Sequence, residues 1–390
     1  MKELTILMPC LNEARTLGLC IRRARQLLTS HRIDGEILVS DNGSTDGCQR
    51  IARKLKARVV SCPARGYGAA LQFGVERARG KFILMGDCDD SYHFDEAFPM
   101  IQQLRKGADL CMGTRLGGTI VPGAMPFLHR VLGNPVITWL GRIFYDIEQT
   151  DFYCGMRAFR ADSVRRLQLV TTGMEWALEM LIKSRLSGYR ITEVPITLYK
   201  DGRERAPHLR TWRDGWRSLR FMLLHAPDFL FVLPAATMIV IGLAGMVLLT
   251  PAPLRFGSVT FNLHSLLTFA FLVLIGVQVF FAGLFAKVYS FAHGILPGRS
   301  GLVEFLERIS LESLLILSLI LFLTGAAGFI WTLQTWVATG FASLDYDITM
   351  RRLIPSLTLV GVAVVTAFNG FVLSLLHVPT RDQPRNLRSR

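Results

Sequence analysis

Four stretches of this 390-residue chain run uncharged for about the 20 residues that a bilayer-spanning helix needs: Phe229–Leu249, Ser265–Ala286, Ser313–Leu333 and Leu353–Leu376. A helix buried in a soluble core rarely lacks charge on every side for this length. Four in succession point to a membrane domain. The charge lies elsewhere, since residues 1–228 hold 34 of the 44 Lys and Arg and 24 of the 30 Asp and Glu. With 51% hydrophobic residues the chain is not disordered, and its second half excludes a purely soluble protein.

The connections between these stretches carry unequal charge. The C-terminal tail holds Arg381, Arg385, Arg388 and Arg390, and the second connection holds Lys287, Arg299 and Arg308, whereas 250–264 holds only Arg255. Excess Lys and Arg marks the cytoplasmic side, so both termini are expected there. Arg351 and Arg352, on the expected outer side, run against this bias. The apolar run Leu4–Met8 is too short for a signal peptide, and Pro9 and Asn12–Glu13 interrupt it. Residues 1–228 are therefore expected to stay in the cytoplasm. All seven cysteines fall in this part, odd in number and without a C-x-x-C, which indicates reduced thiols rather than a zinc site or a disulfide framework.

Within the soluble half, short apolar runs alternate with amphipathic stretches. Leu4–Met8, Glu36–Ser40, Arg58–Ser61, Phe82–Gly86 and Leu110–Gly113 read as strands, and Ala14–Leu28, Asp46–Lys56, Tyr67–Arg79 and Asp95–Arg105 as helices. Continuous apolar strands alternating with helices predict an α/β fold with a mostly parallel sheet covered on both faces. Ligands bind such sheets beyond the carboxyl ends of the strands. Pro9–Glu13, Asp41–Asp46 and Asp87–Ser91 all follow strands in this way.

Asp87-Cys88-Asp89-Asp90 sets three carboxylates within four residues, an arrangement that repels itself unless a cation is shared, as Mg²⁺ or Mn²⁺ is by carboxylates and phosphate oxygens. By itself the cluster is equally a cap for the helix near Asp95. Asp41–Asp46 is likewise either a ligand loop or a turn. Arg65-Gly66-Tyr67-Gly68 reads as a diphosphate cradle at a helix N-terminus or as a plain tight turn.

Taken together, Met8-Pro-Cys-Leu-Asn-Glu13, Asp41-Asn-Gly-Ser-Thr-Asp46, Gly86-Asp-Cys-Asp89 and Tyr153-Cys-Gly-Met-Arg157 resemble the family 2 glycosyltransferases over about residues 1–200. Glu193-Val-Pro-Ile196 and the membrane tail narrow the resemblance to the polyprenyl-phosphate glycosyltransferases of the dolichol-phosphate mannose or glucose synthase type. The Q-x-x-R-W of the processive branch is missing from Arg210-Thr-Trp-Arg213, which favours one-step transfer over polymerisation.

The resemblance implies a GT-A, Rossmann-like nucleotide-sugar-binding domain followed by an α-helical transmembrane domain of four spans. It implies that Pro9, Asn12, Glu13 and Asp41 hold the nucleotide, with Asp41 accepting from the base. Asp87 and Asp89 are the metal-bearing pair, Asp87 also contacting the donor, with Mg²⁺ or Mn²⁺ as cofactor. Ser91 stands where the family often has Gln or His, so water is expected in place of a third protein ligand. Asp89, Arg115, Arg130 and Arg203 are the implied catalytic set, the three arginines serving a phosphate acceptor. Arg157 and Arg205 are balanced between that role and a surface one. Glu179 is either a family acidic position or an exposed helix residue.

The implied reaction moves a single hexose from a nucleotide sugar, UDP-glucose before GDP-mannose, onto polyprenyl phosphate with inversion, for cell-envelope glycan modification. A phosphate oxygen is already anionic and needs no general base, unlike a lipid hydroxyl. Trp212, Trp216, Leu219 and Leu223 share one stripe of Pro207–Leu224 at ~100° per residue, with Arg213, Arg217 and Arg220 beside it. That stretch is expected to lie among headgroups, or alternatively to pack on the catalytic domain. The resulting division is 1–206, 207–228, 229–378 and a basic tail 379–390, in an inner (cytoplasmic) membrane protein with both termini cytoplasmic. No nucleic-acid signature appears, and a homo-oligomer is left open. The competing readings are a neutral lipid acceptor, ceramide or diacylglycerol, and a lipid or sugar transporter with a regulatory front domain.

Overall fold

The computed structural model describes residues 2–126, 129–202, 211–292 and 310–376, without the side chains of His129, Leu132, Thr211, Trp212, Asp214 and Ala292. Arg203, Arg205, Arg299, Arg308 and the tail 379–390 lie outside the described residues. The chain divides into two compact units, Met1–Met222 and Leu223–Arg390.

The first unit is built on a seven-stranded sheet: β1 (Lys2–Cys10), β2 (Gly35–Asp41), β3 (Arg58–Ser61), β4 (Gly80–Met85), β5 (Leu110–Ile120), β6 (Arg157–Arg160) and β7 (Ile191–Leu198), in the order β3-β2-β1-β4-β6-β5-β7. Only β6 runs antiparallel to its neighbours. Leu4, Ile6, Leu7 and Met8 of β1 are all fully buried, because a parallel strand with helices on both faces has no solvent side. The helices α1 (Ala14–Ser30), α2 (Cys48–Lys54), α3 (Tyr67–Arg77) and α4 (Phe98–Arg105) follow the expected alternation. Helix α1 buries Leu17, Cys20, Ile21, Ala24 and Leu27, the spacing of one helical face. Beyond them come α5 (Asn134–Tyr145), α6 (Ala161–Arg166), α7 (Trp176–Leu186) and α8 (Thr211–Leu224). This is the mostly parallel, helix-covered sheet expected from the alternation. Strands β6 and β7 were not expected as strands, since β6 has only four residues with Arg at both ends, and β7 carries Glu193 and Pro195.

The second unit contains four helices long and apolar enough to cross a membrane. They are α9 (Leu233–Leu249), entered through a π-helical turn Asp228–Val232, α10 (Leu263–Ala292), α11 (Leu311–Ala338) and α12 (Tyr346–Leu376). Contacts run in a row: α9 against α10, α10 against α12, and α12 against α11. A two-stranded hairpin of β8 (Leu254–Phe256) and β9 (Val259–Phe261) joins α9 to α10 around Gly257, whose φ is 60°. Lys287, counted in sequence as a loop charge, sits buried in α10 with its Nζ 2.6 Å from Asp228. Arg351 is also buried and donates to the Leu249 carbonyl and to Asn262 Oδ1. Arg352 lies 4.8 Å over the Trp331 ring. Both arginines that ran against the loop bias thus have partners inside this unit.

Candidate active site

In the first unit the chain leaves β1 for β2 and β3, then returns to place β4 on the other side of β1. Such a reversal opens a crevice at the carboxyl ends of the two central strands. A cavity of about 660 Å³ lies there, lined by Pro9–Glu13 after β1, Asn42 and Gly43 after β2, Arg65–Tyr67 before α3, and Asp87 and Cys88 after β4. Ala70 of α3, Gly173 and Met174 and, from α8, Arg213 and Arg217 complete the lining. Pro9, Asn12, Glu13 and Asp87 therefore meet around one space. Asp41, Asp89, Arg115 and Arg130 are not on its lining.

The loops after β1 and β2 are clamped together. Asn12, in a left-handed conformation (φ 56°), donates its N–H to Ser44 Oγ at 2.9 Å and accepts from Thr45 N–H at 2.8 Å. Asp46 accepts from the N–H groups of Ala14 at 2.7 Å and Cys48 at 3.1 Å. Burial works against this carboxylate, but those hydrogen bonds outweigh it and hold its pKa below the ordinary value. Asp41 is buried and accepts from Gln49 Nε2 at 2.7 Å and from Gly43 N–H at 3.2 Å. It shapes the turn that presents Asn42 and Gly43 to the cavity.

At the tip of β4 the three carboxylates separate. Asp90, at φ 68°, turns away and lies 3.0 Å from Arg23 of α1, which relieves the crowding expected from the sequence. Asp87 Oδ1 accepts from Tyr67 Oη at 3.0 Å. Burial, then the adjoining carboxylate, pushes the Tyr67 phenol far up, so it stays a donor. Asp89 Oδ1 accepts from Ser91 N–H at 3.0 Å and Ser91 Oγ at 2.6 Å. Ser91 thus orients Asp89. Carboxylate oxygens of this kind suit a hard divalent cation such as Mg²⁺ or Mn²⁺. Among the described residues, the three-residue group near enough to share an ion is instead Cys10, Asp41 and Cys48, all buried. Two of its donors are thiols, unsuited to those cations.

Gly66 and Gly68 have a structural reason. Gly66 has φ 137°, and a Cβ there would overlap the Thr172 carbonyl. A Cβ at Gly68 would come within 2.6 Å of Trp176 and 2.7 Å of the Gly173 carbonyl. The 170–173 loop therefore lies directly on the start of α3, and Ala69 N–H donates to Thr172 O at 3.1 Å. Glu179 holds this loop from below: it is fully buried, 2.9 Å from Lys183, and accepts from Thr171 Oγ1 at 2.6 Å and Thr171 N–H at 2.9 Å. The exposed reading of Glu179 is overturned. Burial presses its pKa upward, but Thr171 and the Lys183 ammonium outweigh that and hold it below the ordinary value.

The arginines divide. Arg115 forms a two-pronged pair with the fully buried Asp151, and Glu193 of β7 accepts from Thr150 N–H at 2.8 Å and Asp151 N–H at 3.2 Å behind it. Arg157 is fully buried and donates to the carbonyls of Cys154, Phe152 and Ala177. That replaces a phosphate or surface role with a structural one. Arg130 is exposed on the π-helical turn His129–Gly133. Helix α8 packs on the first unit: Ser218, Phe221 and Met222 are buried, Tyr145 Oη donates to the Met222 carbonyl, and Trp216 stays 60% exposed. The pairing of Arg115 with Asp151, the bonds of Glu193 to Thr150 and Asp151, and Asp90's turn toward Arg23 were not legible beforehand, because each depends on a partner distant in sequence.

Comparison with known proteins agrees with this architecture. Residues 5–168 match the family described as glycosyl transferase family 2, and residues 284–377 match the glycosyltransferase family 2 C-terminal transmembrane region. The low-salt glycan biosynthesis hexosyltransferase Agl6 of Haloferax volcanii is 35% identical over 376 residues, 96% of this chain and 89% of that protein. A dolichyl-phosphate hexose transferase of the same organism is 31% identical over 50% of this chain and 82% of its own length. An undecaprenyl-phosphate mannosyltransferase of Micrococcus luteus is 30% identical over 50% of this chain and 83% of its own length.

Proposed function

This chain belongs to glycosyltransferase family 2, and from that premise we propose that it transfers one hexose from a nucleotide sugar to the phosphate of a polyprenyl phosphate at a membrane. The observation that carries the reading is Asp87 at the tip of β4, facing the same cavity as Pro9–Glu13 and Asn42–Gly43. The proposed seat of the nucleoside is the β1 and β2 side of that cavity, with its diphosphate toward Asp87. Asp41 serves the nucleoside by holding the 42–44 turn. The acceptor class is supported by what the dolichyl-phosphate and undecaprenyl-phosphate relatives act on. UDP-glucose is the proposed donor, with GDP-mannose next.

Asp87 and Asp89 would hold Mg²⁺ or Mn²⁺, which supplies charge neutralisation at the departing diphosphate. An acceptor phosphate oxygen forms its bond to the anomeric carbon as the bond to the nucleoside diphosphate breaks on the opposite face, with inversion. No proton has to leave the nucleophile, because a phosphate monoester is anionic at neutral pH. Arg115, locked to Asp151, acts as a positioning residue for the 115–120 segment. Arg130 and Arg203 remain proposed for the acceptor phosphate. The domain and both termini are proposed to be cytoplasmic.

Membranes containing the protein, given labelled UDP-glucose or GDP-mannose with undecaprenyl phosphate, ceramide or diacylglycerol, test this directly. A lipid product formed only with the phosphate acceptor and cleaved by mild acid is expected. An acid-stable product on a neutral lipid would overturn the acceptor. Transport surviving Asp89→Ala without any glycosyl transfer would overturn the enzyme reading.

A further inference from the structure

Resting on the reading above, we propose that Arg213 and Arg217 of α8 form a phosphate-binding wall of the cavity, making the helix that leads into the first span part of the active site. They stand four residues apart, on one helical face, and both line the same cavity as Arg65 and Asp87. The strand-tip side of that cavity is acidic, with Glu13 and Asp87, and the α8 side is basic. A phosphate group bridges such a division, and paired guanidinium forks match its oxygens better than point charges do.

The wall is also positioned. Arg217 Nη2 lies 3.4 Å from Glu175 Oε1, and a Cβ on Gly173 would overlap the Glu175 carboxylate, so that side chain folds back over the glycine. Glu175 belongs to the same 170–175 segment that Glu179 anchors and that lies on Gly66 and Gly68. One strap thus fixes both the start of α3 and the reach of Arg217. The phosphate has two sources, the diphosphate of the sugar donor and the monophosphate of the lipid acceptor. Arg65 lines the same cavity from the start of α3, and Arg213 and Arg217 face it from α8.

The test uses the full-length protein in detergent micelles, with Arg213→Gln, Arg217→Gln and Arg213→Lys, assayed with UDP-glucose, GDP-mannose and undecaprenyl phosphate. A rise in KM for one phosphate-bearing substrate of about tenfold or more per glutamine variant, partly recovered by lysine, supports the proposal. If the KM for undecaprenyl phosphate rises while nucleotide-sugar binding is unchanged, the phosphate is the acceptor's. If nucleotide-sugar binding and its acceptor-free hydrolysis weaken, the phosphate is the donor's. Folded glutamine variants with both KM values unchanged overturn it. Should a glutamine variant not fold, Glu175→Gln reads the same contact from the other side: a raised KM for the phosphate-bearing substrate supports the proposal, and an unchanged or lower one overturns it. A wild-type protein that ignores undecaprenyl phosphate would defeat the acceptor assignment alone, and the nucleotide-sugar binding arm would still decide the role of the arginines.

Discussion

Arg115 grips both carboxylate oxygens of Asp151, Nε to Oδ2 at 2.6 Å and Nη2 to Oδ1 at 2.7 Å, while its backbone N–H adds a third bond at 3.0 Å. Asp151 is fully buried and the Arg115 side chain only 11% exposed. Removing one partner of such a pair strands the other away from water. Asp151→Ala is therefore expected to destabilise the chain by about 3–5 kcal/mol, and Asp151→Asn by less. Thermal unfolding of the full-length protein in detergent measures this, and a variant as stable as the parent would show that solvent already satisfies the guanidinium.

Asp87→Asn and Asp89→Asn are each expected to lower glycosyl transfer about a hundredfold or more, ~2.7 kcal/mol in barrier terms, with unfolding temperature little changed. Excess chelator should silence the parent protein, and added Mn²⁺ or Mg²⁺ should restore it. Full turnover in chelator would remove the cation from the account.

Gly66→Ala forces a side chain into a left-handed conformation and against the Thr172 carbonyl. The conformational part alone costs about 1–3 kcal/mol, and the overlap adds to it by pushing the 170–173 loop off α3. Loss of both stability and nucleotide-sugar affinity is expected, read by unfolding and by titration calorimetry. Retained affinity in a folded Gly66→Ala protein would uncouple the loop from the cavity.

Glu179 has a folded pKa below its ordinary 4.5. Its contribution to stability is therefore complete above that value and fades as pH falls through the lower folded one. Glu179→Gln should lose stability at pH 7, and its unfolding temperature should fall less steeply than the parent's between about pH 5 and pH 3. Parallel curves for the two proteins would contradict the assignment.

In the apolar half, Arg351 donates to the Leu249 carbonyl at the end of α9 and to Asn262 ahead of α10. Arg351→Met keeps the length but removes both donors. A loss of about 1.5–3 kcal/mol is expected, the range for hydrogen bonds to a charged group. An unfolding temperature equal to the parent's would mean that water satisfies these acceptors.

Much of the fold was legible because its signals are local. Uncharged runs such as Ser313–Leu333 announce a span by their own composition, and the burial of Leu4–Met8 follows from its continuous apolarity. The alternation through α4 follows from periodicity in the same way. Motif positions are local as well, so Pro9, Asn12, Glu13 and Asp87 could be named before their convergence on one cavity was visible.

What the amino-acid order determined by itself was therefore the α/β half, the four membrane helices, and the chemistry gathered at the strand tips. Only the tertiary structure decided how those charges are used. It sent Asp90 to Arg23, spent Arg157 on three carbonyls, bound Arg115 to a carboxylate 36 residues away, buried Glu179, and brought Arg213 and Arg217 to the cavity. The physical reason is that apolar periodicity is written within one turn or one strand, whereas a charge finds its lowest energy against whichever opposite group the completed fold sets within a few ångströms.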